Sequence, residues 1–381
     1  MKKLVTLLIA SLLFINMNIV KAEEIELESL SGILIDSDSG QVLFEKNTHE
    51  QLPPASITKI MTMLLVMEEI ENGTITLQDQ VNVSEFAADM GGSQLYLEPQ
   101  EKRSVEDLLT AVAVESANDA AVALAEYIGG DYQIFVKMMN EKAKSLGMKD
   151  TQFQNCNGLP VENHYSSAYD IALMSKELMK YPEIHNYLTI WMKDITIGKE
   201  NDKLRTVANT NKLLRQDDRV DGIKTGYTVE AKYCLSTTAK ENGMRLIAVV
   251  LQAPTSKVRF EEASKLLNYG FNRYKKESIV EANEAMGEVT IIKGSQDKLQ
   301  VVTKESFSQL LEKSENKEYE KEVNYDNTMS APIEKGDKLG ELLIKENGKV
   351  IKKIDLVASE DVAKTTYFNL FNKLYKEFII F

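Results

Sequence analysis

The chain has 381 residues, 43 % of them hydrophobic, a length typical of about two domains with buried cores. Its formal net charge of −13 argues against the basic surfaces with which proteins bind nucleic acids, so we expect no nucleic-acid partner. Two cysteines, Cys156 and Cys234, are too few for a disulfide framework, and no Cys/His spacing indicates a metal site, so we expect no metal or other cofactor. One bridge is possible, but the apolar strand pattern around Cys234 favours a buried free thiol.

The N-terminal segment is typical of a signal peptide. Two lysines precede an apolar run over residues 4–20, and Val20 and Ala22 fit the small-residue pattern of a cleavage site. We therefore expect residues 1–22 to be removed and the protein to be exported. Removal would change the formal charge from −13 to −16, because the segment holds three lysines and no acidic residue. An uncleaved anchor is the alternative, although two asparagines within the run disfavour it.

Residues 23–275 are predicted to form an α/β domain. Two pairs of apolar runs, each around a turn sequence, predict β-hairpins at residues 32–45 and 233–251. Helical periodicity follows residue 56 and recurs further along the chain, at residues 106–114, 119–128, 131–146 and 259–274. These elements predict a sheet covered by helices, with a helical insert around Ser116.

Residues 276–362 are predicted to form a small β-rich domain. Short apolar runs alternate there with charged turns, at residues 289–292, 299–302 and 342–344. Within the highly charged segment 312–325, the Ser-x-x-Lys sequence at residues 314–317 is predicted to be a solvated loop.

Residues 363–381 are predicted to form an amphipathic helix. Nine large apolar side chains, six of them aromatic, fall largely on one stripe, with lysines off it. Such a stripe suits a membrane interface, so we expect peripheral attachment to the outer face of the cytoplasmic membrane. A helix packed on its own domain is the alternative.

A Ser-x-x-Lys pattern, Ser56 and Lys59, opens the first predicted helix. A serine hydroxyl is a poor nucleophile unless a neighbour accepts its proton, and with three histidines in the chain a lysine is the natural acceptor. Pro53 and Pro54 cannot continue a helix backwards, so Ser56 lies in its first turn. The i,i+3 spacing then places Lys59 on the same face. The amide groups of this turn can stabilise an oxyanion.

Ser116 and Asn118 lie between two predicted helices. An isolated Ser-x-Asn is most simply a helix N-cap. Because the other two motifs are also present, we interpret Ser116 and Asn118 instead as active-site residues. A hydroxyl and an amide can relay a leaving-group proton and hold a peptide carbonyl.

The sequence Lys224-Thr225-Gly226 lies at a predicted strand edge. The charge of Lys224 can either lower the pKa of Lys59 or bind a substrate carboxylate, and the two roles are compatible. A peptide can add to the strand edge, with Thr225 supplying a hydroxyl and Gly226 permitting close approach.

Four stretches carry a family resemblance: Pro-Ala-Ser56-Ile-Thr-Lys59, Glu-Ser116-Ala-Asn118-Asp, Tyr165-Ser-Ser-Ala-Tyr-Asp170 and Val-Asp-Gly-Ile-Lys224-Thr-Gly-Tyr. Together they resemble the low-molecular-mass penicillin-binding proteins that are D-alanyl-D-alanine carboxypeptidases. The resemblance implies a β-lactamase/transpeptidase-like domain, in which helices flank an antiparallel sheet.

The same resemblance implies roles for individual residues. Ser56 would be the acylated nucleophile, Lys59 its proton acceptor, Ser116 and Asn118 the second motif, Lys224 and Thr225 the carboxylate anchors, and the amides of Ser56 and Tyr227 the oxyanion hole. We also expect Arg259 to support the anion site.

The expected function is removal of the terminal D-alanine from peptidoglycan stem peptides, with β-lactams acylating the same serine. A DD-endopeptidase is one alternative. A β-lactamase is another, but it needs a carboxylate that activates water, for which the sequence offers no clear candidate. A non-catalytic cell-wall scaffold is an alternative of another class.

Overall fold

The structure, a computed structural model, describes residues 25–366. Within this range the α-helices are α1 to α8: Lys59–Glu71, Glu85–Ala88, Val105–Val114, Asn118–Gly129, Tyr132–Ser145, Ala168–Leu178, His185–Leu188 and Ser256–Arg273. No helix among these described residues is both long and apolar enough to cross a membrane. The predicted signal peptide lies outside the described residues, as do residues 367–381 of the predicted C-terminal helix. The prediction was wrong for residues 363–366, which are extended because their backbone pairs with the segment around Gly294.

The same part of the chain forms strands β1 to β17. They are Ser31–Asp36, Val42–Lys46, Gln80–Asn82, Lys102–Ser104, Met192–Ile197, Lys203–Ala208, Val220–Thr228, Lys232–Glu241, Met244–Ala253, Tyr274–Val280, Ala285–Ile292, Lys298–Thr303, Phe307–Glu312, Glu320–Tyr325, Thr328–Ser330, Lys338–Glu346 and Lys349–Ala358.

A five-stranded antiparallel sheet organises the first domain, in the order β2-β1-β9-β8-β7. Successive side chains of a strand point to opposite faces. In β1, Ile33 and Ile35 accordingly join one apolar cluster, whereas Leu34 joins another against α8. Both faces are covered by helices, which confirms the predicted α/β class. The two predicted hairpins are β1-β2 and β8-β9, and Cys156 and Cys234 are buried free thiols.

Helix α1 runs through the centre of the domain. Every residue from 59 to 67 is buried, because α1 contacts α3, α4 and α6 and lies within the larger apolar cluster. Its N-terminus lies beside β7, an edge strand of the sheet. This arrangement brings the start of a buried helix next to an open strand edge.

The C-terminal domain has its own core between a six-stranded sheet, β14-β16-β17-β12-β11-β15, and the β10-β13 pair. Residues 314–317, predicted to be a solvated loop, are an exposed loop between β13 and β14, whereas the charged residues Glu320–Tyr325 form strand β14 and pair with β16. An edge strand exposed on both faces needs no apolar residues, since backbone hydrogen bonds hold it, and charged side chains also discourage edge-to-edge association.

Candidate active site

Ser56 lies in a single 3-10 turn, Ala55–Thr58, that leads directly into α1. Two glycines allow other segments to approach this turn. A Cβ atom on Gly158 would lie 1.8 Å from the Ala55 carbonyl oxygen, and one on Gly226 would lie 3.0 Å from the Pro54 carbonyl oxygen. The half-buried serine is therefore held between strand β7 and the turn at residues 155–158, called the 158 turn.

Lys59 is fully buried and its amine has three partners. Nζ donates to Ser56 Oγ at 3.2 Å, to Asn118 Oδ1 at 2.6 Å and to the main-chain carbonyl of Asn157 at 2.7 Å. Burial lowers the pKa of Lys59 to about 7, against the opposing influence of Cys156 and Asp119. At neutral pH a substantial fraction of the amine is thus unprotonated and can accept the serine proton.

The second motif is held by a loop between β3 and β4. Ser116 is buried with a left-handed backbone (φ 67°), and Asn118 Nδ2 donates to the Gly91 carbonyl at 2.6 Å. The carboxylate of Asp119 accepts the main-chain amides of Leu95 and Leu97, both at 3.0 Å. Neither side chain of the motif caps α4, whose N-cap is Ala117. Asn118 instead contacts Lys59, which excludes the simple N-cap interpretation.

Lys224 is also fully buried, yet its amine has no hydrogen-bond partner among residues 25–366. Burial, then the neighbouring Lys59 and Arg259, hold the pKa of Lys224 well below its usual value. Thr225, next along β7, shares a hydrogen bond of 2.6 Å with Thr210 through the two hydroxyl groups. An amine that lacks a protein partner can take an anion, whose charge would compensate its own.

Arg259 contacts the backbone of the sheet. Its Nη1 donates to the carbonyls of Gly226 and Cys234, both at 3.2 Å, and its side chain is buried. Burial lowers the pKa of Arg259 to about 10. In this position the residue orients β7 and adds positive charge near Lys224. The Tyr227 ring is exposed and stacks on Tyr233, with centroids 4.6 Å apart.

Several residues that shape the site were not predicted from sequence. Asn157 contributes a main-chain carbonyl, which any residue carries, so no side-chain signal could reveal it. Asn155 accepts the Gly158 amide at 2.6 Å and closes the turn, for which the sequence Asn-Cys-Asn-Gly was a usable turn signal. Among residues 25–366 no group of three His, Cys, Asp or Glu side chains is placed to hold a metal ion.

His164 is a supporting residue as well. Its Nδ1 accepts the Gln154 amide at 2.9 Å, and its Nε2 lies 2.8 Å from Thr58 Oγ1, in the turn that carries Ser56. Burial lowers the pKa of His164 to about 4, so the ring is neutral at pH 7. With Nδ1 as acceptor, the proton is on Nε2 and is donated to Thr58.

A serine paired with a buried lysine, beside a Ser-x-Asn motif and a Lys-Thr-Gly strand edge, defines an active-site serine enzyme of the penicillin-recognising class. Comparison with known protein families supports this class of enzyme. Residues 17–255 match the peptidase S11 family of D-alanyl-D-alanine carboxypeptidases, and residues 274–364 match the C-terminal domain of penicillin-binding protein 5. The chain belongs to the D-alanyl-D-alanine carboxypeptidase family.

Individual relatives cover most of the chain. It is 44 % identical to the D-alanyl-D-alanine carboxypeptidase DacF of Bacillus subtilis, over 91 % of this chain and 89 % of that protein. The crystal structure of DacD from Francisella tularensis is similar, with a TM-score of 0.69 and 30 % identity over 93 % of this chain and 98 % of that one. The crystal structure of ampicillin-bound penicillin-binding protein D2 from Listeria monocytogenes is also similar, with a TM-score of 0.58 and 33 % identity over 65 % of this chain and 99 % of that one.

Proposed function

We propose that the protein is a serine D-alanyl-D-alanine carboxypeptidase that removes the terminal D-alanine of peptidoglycan stem pentapeptides. The observation that carries this proposal is the contrast between two buried lysines: Lys59 contacts the nucleophile, whereas Lys224 has no protein partner. One is placed as a base and the other as an anchor for a terminal carboxylate.

The reaction follows from this placement. The substrate carboxylate binds Lys224 and Thr225, which sets the penultimate carbonyl beside Ser56. The neutral amine of Lys59 accepts the proton of Ser56 Oγ as the oxygen attacks, and the amides of Ser56 and Tyr227 stabilise the oxyanion. A proton passes to the leaving amine through the polar groups of Ser116 and Lys59, and free D-alanine departs. Water then hydrolyses the acyl-enzyme, with the lysine again as base.

A β-lactamase is less well supported. Deacylation of a penicillin needs a carboxylate that is free to activate water. Asp119, the buried carboxylate next to Asn118 in sequence, already accepts three main-chain amides. A DD-endopeptidase would use the same residues, so the choice between it and a carboxypeptidase depends on the substrate. A scaffold without activity would have no need of a lysine buried with a lowered pKa next to a serine.

The test is intact-mass spectrometry of the protein with a penicillin, alongside Ser56→Ala, followed by an assay of D-alanine release. A lasting single adduct that the variant lacks, together with D-alanine release from a pentapeptide, is the expected result. Release from crosslinked peptides alone would indicate an endopeptidase, and rapid penicillin turnover would indicate a β-lactamase. Absence of an adduct on the folded protein would refute the proposal.

We also propose an extracytoplasmic location, with residues 1–22 as a signal peptide and the apolar stripe of residues 367–381 as a membrane-associated segment. The apolar patterns of the two segments support this proposal. N-terminal sequencing of the exported protein is expected to begin at Glu23. Truncation after Thr366, which keeps Val362 in the core of the C-terminal domain, is expected to move the enzyme from the membrane fraction to the soluble one, and retention in the membrane fraction would refute a role for residues 367–381.

A further inference from the structure

The backbone of Ser116 has a conformation that the residue itself does not favour. Its φ of 67° lies in the left-handed region, which is costly for a residue with a Cβ atom. Its buried hydroxyl has no hydrogen-bond partner among residues 25–366, so the side chain does not hold this conformation. The residues after it are held by main-chain hydrogen bonds, among them the bond from the Asn118 amide to the Ser93 carbonyl at 2.7 Å. The residue before it, Glu115, is held in another way.

The carboxylate of Glu115 is held by the β5-β6 hairpin. Its Oε2 accepts the main-chain amide of Ala208 at 3.1 Å, and its Oε1 accepts Nη2 of Arg205 at 3.3 Å. Both side chains of the ion pair are partly buried, with 24 % of Glu115 and 35 % of Arg205 exposed. Because a separate donor binds each oxygen, the carboxylate has one orientation. The residue preceding Ser116 is thereby fastened to a second segment of the chain.

Arg205 also contacts a third segment, the loop between β3 and β4. Its guanidinium carbon lies 4.9 Å from the centre of the Tyr96 ring, a distance typical of a cation–π contact. Tyr96 has a left-handed backbone as well (φ 65°). It lies between Leu95 and Leu97, whose amides donate to the Asp119 carboxylate. The arginine therefore connects the residue before the second motif to the loop that holds the residues after it.

The same hairpin leads to the third motif. Strand β6 ends at Ala208, and Thr210, two residues later, shares its hydrogen bond with Thr225. Asn209 between them is buried, and its Nδ2 donates to two main-chain carbonyls, at 3.1 Å and 2.9 Å. One fixed segment thus carries the two donors to Glu115 at one end and a hydroxyl beside the Lys-Thr-Gly strand at the other.

We propose that Arg205 is a positioning residue, which through Glu115 holds Ser116 in the conformation from which the Ser116 hydroxyl protonates the leaving amine. The inference rests on the proposed function and deepens it, because it assigns the residue that aligns one step of the reaction. In that step the C–N bond of the tetrahedral intermediate breaks and its electron pair stays on nitrogen. Ser116 Oγ gives its proton to this nitrogen and takes the proton that Lys59 received from Ser56.

The leaving group determines how much this step matters. An amine needs a proton as the bond to it breaks, whereas a thiolate leaves as an anion, since the pKa of a thiol is only about 8.5. A substrate with D-thiolactate in place of the terminal D-alanine keeps the methyl group, the carboxylate and the acyl group. Misalignment of Ser116 should therefore slow cleavage of the amide and spare the thiolester. A residue needed only for stability would affect both substrates alike.

The experiment compares two substrates on the intact enzyme: Nα,Nε-diacetyl-L-lysyl-D-alanyl-D-alanine and the matching D-thiolactate thiolester. Both give the same acyl-enzyme, so the ratio of their kcat/KM values compares acylation alone and is independent of the fraction of active protein. Misplacement of a catalytic group costs up to about 100-fold, so Arg205→Ala should lower kcat/KM for the amide by about 10-fold to 100-fold. The value for the thiolester should be nearly unchanged. Arg205→Lys should recover most of the loss, since a single guanidinium nitrogen donates to the carboxylate.

Glu115→Ala provides a second measurement of the same loss. It should lower the ratio of amide to thiolester, and the addition of Arg205→Ala should lower it no further, because the arginine acts through the glutamate. Losses that add in the double variant would refute this route.

Arg273→Ala is the matched control. Arg273 likewise donates to a glutamate, Glu312 at 2.9 Å, and contacts tyrosine rings, with 38 % of its side chain exposed, but it lies at the end of α8. The ratio of amide to thiolester should be unchanged in this variant. A fall as large as that of Arg205→Ala would contradict a role specific to Arg205.

Equal losses for the amide and the thiolester in Arg205→Ala, or a wild-type kcat/KM for the amide, would overturn the inference. The outcome for the proposed function is separate, because the wild type alone decides it. A wild type that is labelled by penicillin and releases D-alanine, with the ratio unchanged in Arg205→Ala, would reject the inference alone. A wild type that does neither would reject the function first.

Discussion

Replacing each buried lysine by methionine should change stability in opposite directions. Lys224 buries an amine without a protein partner, and such a group costs about 1–3 kcal/mol, so Lys224→Met should raise the free energy of unfolding by an amount in this range. Methionine has a similar length and a flexible apolar chain, which limits packing losses. Lys59→Met removes the donor to three acceptors and should lower stability by about 2–4 kcal/mol.

Activity should fall in both variants. Loss of a hydrogen bond between an ammonium and a carboxylate costs about 1.5–3 kcal/mol, so Lys224→Met should reduce kcat/KM for D-alanine release about 10-fold to 100-fold. The stability gain should also diminish as pH rises towards the pKa of an unfolded lysine. Between the lowered pKa of Lys224 and that ordinary pKa, the unfolded lysine keeps its proton while the buried one loses it, so the wild type gains stability relative to the variant.

The assay is thermal unfolding of wild type and both variants, with D-alanine release measured on the same preparations. A change of 1 kcal/mol corresponds to about 2–4 °C in a domain of this size. A lower melting temperature for Lys224→Met, with activity lost, would mean that its amine is a structural group, and would refute the assignment of an anion anchor. A neutral effect of Lys59→Met would contradict the three hydrogen bonds.

Three further predictions concern the base, the supporting histidine and the 158 turn. Because Lys59 must be neutral to act and its pKa is lowered to about 7, kcat/KM should rise with pH through about 7, and a flat profile from pH 6 to 8 would contradict this role. His164, with its pKa lowered to about 4, contributes stability above about pH 6.5 that is lost as pH falls towards 4, by about 3 kcal/mol. Chemical denaturation should show this pH-dependent difference between wild type and His164→Gln. Gly158→Ala should abolish penicillin labelling of Ser56, because φ is 85° there and the added Cβ would overlap the Ala55 carbonyl; normal labelling would refute it.

Local patterns predicted the catalytic motifs because each depends on short-range geometry. Proline before Ser56 and the i,i+3 spacing to Lys59 predicted the pair that the structure shows in contact. The apolar run before Lys224 predicted a strand, and β7 is that strand. In each case a few neighbouring residues determine the conformation, so a single sequence is sufficient to predict it.

Features that depend on distant segments were not accessible in this way. The Asn157 carbonyl reaches Lys59 across 98 residues, and nothing in its side chain marks that role. Arg259 was expected near the anion site, but the sequence did not indicate that its partners are the Gly226 and Cys234 carbonyls. Strand β14 was not predicted, because charge patterning reports exposure and an edge strand can be exposed on both faces.

The order of strands in the catalytic sheet has a consequence for folding. β1 precedes every catalytic motif, yet its partner β9 follows all of them, and Ser31 pairs with Leu251. A chain that ends before β9 would contain Ser56, Lys59, Asn118 and Lys224 without the strand that joins β1 to β8. Closing this pairing requires a long loop, which makes it a slow step in folding. Penicillin labelling therefore reports completion of the domain, and reactivity should appear only once the long-range β1-β9 pairing has formed.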